Sequence, residues 1–141
     1  MPLPRRYLDR LRVVEIQAAH GNEKPMIDFA RMRRNMVESQ VQPNDVTDRR
    51  ILRAMLEVPR ERFVAPAIAD LAYIDEAVPM EAAGAARNPR RLASPLVISK
   101  LLQLAAIEAN DLVLEVGCGT GYMTAIIARL ALSVVGTESD K

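Results

Sequence analysis

The 141 residues amount to about one domain, and with half of them hydrophobic the chain has the means to bury a core rather than stay disordered. Nineteen basic against 18 acidic side chains leave a net charge of +1, which argues against a chain built to coat nucleic acid or an anionic membrane. One cysteine (Cys118), one histidine (His20) and no apolar run near the ~18 residues of a membrane span exclude a disulfide framework, a Cys/His zinc cage and a spanning helix, and argue against His-based triads.

The expected setting is therefore a reducing one, the cytoplasm. Charge is uneven along the chain: residues 1–62 carry 13 basic and 9 acidic side chains, and residues 63–141 carry 6 and 9. The arginine-rich first half reads as a solvated helix surface. It lacks the interleaved aromatics of a nucleic-acid binder, so no nucleic-acid partner is expected.

Residues 1–25 form an N-terminal extension. Tyr7, Leu11, Val14 and Ala18 recur at helical spacing before Gly21, Asn22 and Pro25 interrupt them. Met26 could be the true start. Phe29, Met32, Met36 and Val37 then share one helix face. Gln42-Pro43-Asn44-Asp45 reads as a turn, and Thr47 or Asp48 can cap a second helix with the face Ile51, Leu52, Met55 and Leu56. Pro59 ends it. A short helix is expected at 66–71, an extended piece at 74–78 and a loop at 81–91. Ser94-Pro95 is a helix start, a capping hydroxyl followed by proline at the first helical position. Val97, Ile98, Leu101, Leu102 and Ala105 give that helix its predicted buried face.

The most informative stretch follows. Residues 112–116, Leu-Val-Leu-Glu-Val, have strand character; Gly117-Cys-Gly-Thr-Gly121 comes next, then a helix around 125–130 and a second strand over 133–138. Glycines at a strand-to-helix turn let the backbone bend tightly and let a ligand lie against it. Glu138 lies 21 residues after Gly117, where a carboxylate can accept hydrogen bonds from a ribose diol. The dinucleotide fingerprint G-x-G-x-x-G would put its third glycine at 122, which is Tyr122, and no lysine supplies a P-loop. A loop without a phosphate-binding cation suits a nucleoside ligand without phosphates, and S-adenosylmethionine is one. The candidate cofactor-binding residues are Glu115, which brings negative charge near the ligand's cationic end, the loop residues Gly117, Cys118, Gly119, Thr120 and Gly121, and Glu138. No metal ligands are expected.

Val113-Leu-Glu-Val-Gly-Cys-Gly-Thr-Gly-Tyr122 resembles the first cofactor motif of the protein-L-isoaspartate O-methyltransferases, and Val58-Pro-Arg-Glu-Arg-Phe-Val64 is similar to their V-P-R-E-x-F-V segment. Thr47-Asp-Arg-Arg-Ile-Leu52 and Leu71-Ala-Tyr-Ile-Asp75 also fall where that family has such residues. The resemblance implies an α/β chain: the front part of a Rossmann-like methyltransferase fold, with residues 26–93 a helical N-terminal region and 94–141 the start of the cofactor domain. It implies transfer of a methyl group from S-adenosylmethionine to isoaspartyl carboxylates of damaged proteins. The family's G-x-T-I-S-x-P segment corresponds to Pro89-Arg-Arg-Leu-Ala-Ser-Pro95, so its active-site serine falls on Ala93 and Ser94 is the catalytic candidate one place later. The chain ends just after its second strand, and the expectation is a fragment that is inactive by itself and self-associates through unpaired strand edges. The alternative reading is a non-catalytic relative that keeps the front half of the fold as a binding module.

Overall fold

The computed structural model describes residues 26–81 and 90–139. The expected helix in 1–25 and most of the expected loop at 81–91 lie outside them.

The N-terminal region is a stack of short helices. Helix α1 (Phe29–Met36) is capped by Asp28, whose carboxylate accepts from the Arg31 N–H at 2.9 Å. It runs on through a π-helical turn, Val37–Val41, and a 3₁₀ turn, Gln42–Asn44, which closes at Asp45 in the left-handed region. Asp48, rather than Thr47, caps α2 (Arg49–Glu57), accepting from the Arg50 N–H at 2.8 Å. Gln103 on the third helix clasps this corner. It accepts from the Thr47 N–H at 2.7 Å and donates to the Asp45 carbonyl at 2.9 Å. Two 3₁₀ stretches follow, Arg60–Phe63 and Pro66–Leu71, the second kinked at Ile68.

A two-rung antiparallel pairing comes next, β1 (Val78–Pro79) with β2 (Arg91–Leu92). This corrects two expectations. The extended piece begins at Val78 rather than spanning 74–78, and Arg91 is in a strand rather than a loop. Helix α3 (Pro95–Ala105) starts where Ser94-Pro95 predicts. Then β3 (Leu112–Val116), α4 (Tyr122–Ile127) and β4 (Ser133–Thr137) form a strand–helix–strand unit, with β3 and β4 parallel and Leu112 opposite Ser133 through Val116 opposite Thr137.

One hydrophobic core joins the helical region to this unit: Met36, Val41, Ile51 and Met55 pack in the same cluster as Ile98, Leu102, Tyr122 and Ile126. The predicted helix faces are wider than the buried ones. Leu56 is 41% exposed, Val97 49% and Leu101 51%, and Ala105 is exposed too. Hydrophobic period locates an apolar stripe, but neighbours decide how much of it is covered, and these positions lie on the flank turned from the cluster. Strand β3 shows the same one-sidedness. Val113 and Glu115 point inward, while Leu112, Leu114 and Val116 are 64–79% exposed. Among the described residues, no helix is long and apolar enough to cross a membrane.

Candidate functional site

The site is built on the turn from β3 into α4. Gly117, Gly119 and Gly121 have φ of +78°, +57° and +87°, the left-handed region that a side chain penalises. The alternation of these glycines with Cys118 and Thr120 is what lets the chain coil tightly. A Cβ on Gly117 would meet nothing within 4 Å, and one on Gly121 only the Thr124 hydroxyl at 4.0 Å, so the backbone at both positions faces open space.

Four of the five N–H groups in residues 117–121 are already committed. Gly117 and Cys118 donate to the Thr137 carbonyl at 2.8 and 3.1 Å, Gly121 to the Cys118 carbonyl at 2.9 Å, and Gly119 to Oε2 of Glu138 at 2.7 Å. The loop therefore offers no nest of free donors to a phosphate, consistent with its lack of a nearby lysine. It brings Glu138, at the end of β4, onto Gly119 instead. The predicted carboxylate and the predicted glycine loop thus meet.

The other candidates are placed as follows. Glu115 is buried beneath α4 and accepts from the Thr124 hydroxyl at 2.5 Å. Thr120 donates its hydroxyl to the Phe63 carbonyl at 2.8 Å. Cys118 is half-buried and packs against Gly136 of β4, so it contributes backbone and volume. Residues 118–121, with Thr124, Ala125, Ala128 and Gly136, line a shallow concavity of small side chains. Among the described residues, no group of three or more His, Cys, Asp or Glu is arranged to hold a metal.

Ser94 is drawn elsewhere. Its hydroxyl accepts from the Val97 N–H at 3.4 Å, which makes it the cap of α3. Ala93, the position on which the sequence resemblance places the family serine, offers its carbonyl to Arg60 at 2.7 Å. Ser94→Ala is therefore expected to lower stability by about 1 kcal/mol while leaving ligand affinity unchanged. Thermal melts and titration calorimetry on the same variant check this.

Arg60 is the residue whose role the sequence hides. It is fully buried, donates to the Ala72 carbonyl at 2.6 Å and to that of Ala93, and lies 4.8 Å over the ring of Tyr122. Burial pulls its pKa below the ordinary arginine value, yet it remains a cation. It thus ties the 3₁₀ region, the approach to α3 and the first residue of α4 to one guanidinium. Its neighbour Glu61 accepts from Arg33 at 3.1 Å and from the Tyr73 hydroxyl, and burial followed by the Glu61 bond raises the Tyr73 pKa. Phe63 meets Tyr122 edge-on, with ring centroids 5.4 Å apart. The segment at 58–64 is therefore a clamp behind the glycine loop. The only signal in the sequence was the pattern itself, since an arginine is ordinarily read as a surface residue.

The profile of the protein-L-isoaspartate(D-aspartate) O-methyltransferase (PCMT) family matches residues 31–139. The chain belongs to this family. Protein-L-isoaspartate O-methyltransferase 2 of Anaeromyxobacter sp. (strain Fw109-5) is 42% identical over 108 residues, covering 77% of this chain and 42% of that protein. The enzyme of Protochlamydia amoebophila (strain UWE25) is 39% identical over 103 residues, covering 73% and 46%. A solved protein-L-isoaspartate O-methyltransferase superposes with a TM-score of 0.64 at 26% identity, over 77% of this chain and 34% of that one. A structure assigned to the same class from Plasmodium falciparum, in complex with S-adenosyl-L-homocysteine, has a TM-score of 0.60 at 19% identity and shares the fold. The isoaspartyl methyltransferase family thus provides the α/β frame observed here. The chain spans about half the length, or less, of these relatives.

Proposed function

We propose that the chain forms the cofactor-binding front half of an S-adenosylmethionine-dependent methyltransferase acting on isoaspartyl carboxylates of proteins. The observation that carries this is the meeting of Glu138 with the glycine loop at 2.7 Å. It sets one carboxylate beside a backbone cradle whose Gly117 and Gly121 faces are open, with four of the five loop N–H groups already bonded within the chain. The donor set suits the ligand: Glu138 for the ribose hydroxyls, the open faces of Gly117 and Gly121 for close approach, and Glu115 for negative charge behind the loop. The named relatives support the same reading.

When bound, the cofactor supplies an activated methyl group on a sulfonium. The reaction joins the acceptor carboxylate oxygen to the methyl carbon, breaks the carbon–sulfur bond and leaves its electron pair on sulfur. A carboxylate with pKa about 4 is ionised at neutral pH and needs no general base. The protein's part is alignment and exclusion of water. That fits a chain with one histidine and one cysteine. The small residues lining the loop concavity leave room for the ligand, and Arg60 fixes the turn that carries the loop.

Calorimetry with S-adenosyl-L-homocysteine tests the reading. Glu138→Ala is expected to weaken binding by roughly 1.5–3 kcal/mol, the worth of a hydrogen bond to a charged group. Unchanged affinity would remove Glu138 from the site.

The second reading is a non-catalytic relative, favoured by Ala93 at the serine position and by the engagement of Ser94 in capping α3. A binding signal without methyl transfer to an isoaspartyl peptide would support it. Self-association belongs to either reading, on the exposure of Leu112, Leu114 and Val116 along β3.

A further inference from the structure

We propose that a cluster of arginines at the far end of α4 from the glycine loop is a second binding site, for a phosphate dianion, either inorganic or carried as a monoester. The inference stands apart from the cofactor reading. A concavity of about 250 Å³ lies between α2 and the segment that follows α4, lined by Arg49, Arg50, Arg53, Ala54, Glu57 and Arg129. Two of its four cations are neutralised within the chain. Arg50 donates Nε and Nη2 to the Asp48 carboxylate at 3.2 and 2.7 Å, and Nη1 to the Ile107 carbonyl at 3.0 Å. Arg129 donates Nε to Glu57 at 2.9 Å, and its Nη groups take no bond among the described residues. Arg49 and Arg53 have no side-chain hydrogen bond or ion pair among those residues. Two positive charges and the fork of Arg129 are therefore left for a ligand.

Helix α2 carries these charges against its own stability. Its first turn holds Arg49 and Arg50 and no acid, at the end where the helix dipole is positive and disfavours cations. Asp48 caps that end, but its carboxylate is engaged by Arg50. Arg49 and Arg53 stand four residues apart, where like charges repel. A merely solvated face would be served as well by neutral polar side chains, so local rules broken together at one concavity point to a ligand. The ligand's chemistry follows from the donors. A phosphate monoester carries about −1.5 to −2 charge at neutral pH, which matches the two guanidiniums without partners. Arginine meets its oxygens with paired N–H bonds. The small, buried Ala54 lets the anion approach the helix between the long side chains. No aromatic ring lines the concavity to stack a base, which favours a compact anion over a nucleic-acid strand.

A binding role has a signature that a solvated surface lacks: the substitution that removes the ligand should leave the fold as stable as before, or more so. Calorimetry and thermal melts are run on the full chain with inorganic phosphate and with glycerol 3-phosphate, against chloride at equal ionic strength. Both phosphates are expected to bind and to raise the melting temperature above that in chloride. Arg49→Gln and Arg53→Gln are each expected to weaken phosphate binding about tenfold, the loss of one hydrogen bond to a charged group. In chloride both variants should melt at or above the temperature of the unsubstituted chain, because each relieves the repulsion along α2. Arg31→Gln, an exposed arginine of α1 outside the concavity, should bind phosphate as the unsubstituted chain does. Tighter binding of glycerol 3-phosphate would assign the site to a monoester, and equal or weaker binding to inorganic phosphate. Affinity unchanged in Arg49→Gln and Arg53→Gln, or lowered as much in Arg31→Gln, would overturn the proposal. So would a tetraglutamate peptide that binds through the same arginines as tightly as phosphate, since the surface would then be a contact for acidic protein segments.

Discussion

Arg60→Ala is expected to destabilise the fold by about 3–5 kcal/mol, the scale for leaving two carbonyls without their donor and emptying the space of a fully buried side chain. Two losses add. The carbonyls of Ala72 and Ala93 lose their donors, and each buried acceptor left unpaired costs about 1–3 kcal/mol. The space beneath Tyr122 empties as well, removing the cation–ring contact at 4.8 Å. Arg60→Met separates these effects, because it keeps much of the volume and discards the cost of burying a cation. Chemical denaturation should therefore rank the native protein above Met and Met above Ala. A loss under about 1 kcal/mol for Ala would show that the clamp is dispensable.

What could be read from the sequence was what local chemistry decides. The β3–glycine loop–α4–β4 unit was legible because strand, turn and helix each carry their own signal within 27 residues, 112–138. The cap at Ser94-Pro95 was legible for the same reason. The β1–β2 pairing was not: with two rungs it has no alternation to detect, and Pro79 sits inside it. Nor was the fate of Arg60, Arg90 and Met80. Each acts through a contact tens of residues away: Arg60 with Ala93, Arg90 with Glu138, Met80 with Gly119. Sequence pattern identifies which residues can bury or bond but not what waits for them across the fold. The helix faces show the same limit, since Val97 and Leu101 fit the stripe as well as Ile98 and Leu102 do.

Gly136 is a further case, with a large expected effect. In the sequence it is one glycine in an otherwise ordinary strand, Ser133-Val-Val-Gly-Thr. In the structure it stands opposite Glu115 where β4 passes the glycine loop. A Cβ there would come 3.0 Å from the Thr124 hydroxyl and 3.1 Å from both Cβ and Sγ of Cys118. Neither neighbour can yield freely: the Thr124 hydroxyl is bonded to Glu115 at 2.5 Å, and the Cys118 N–H to the Thr137 carbonyl at 3.1 Å. The glycine thus marks a close approach of strand to loop. Gly136→Val should lower stability by about 3 kcal/mol, the upper range for overpacking, because this exposed position has no room on the side that faces the loop. It should also weaken S-adenosyl-L-homocysteine binding, because easing the clash moves the loop away from β4 and separates Gly119 from Glu138. Gly117→Ala is the comparison. Its Cβ meets nothing within 4 Å, so only the left-handed backbone is penalised, at about 1–2 kcal/mol. Melting curves for the two variants decide the matter: if Gly136→Val melts as high as Gly117→Ala, the strand does not press on the loop, and the coupling drawn here between β4 and the cofactor turn is wrong.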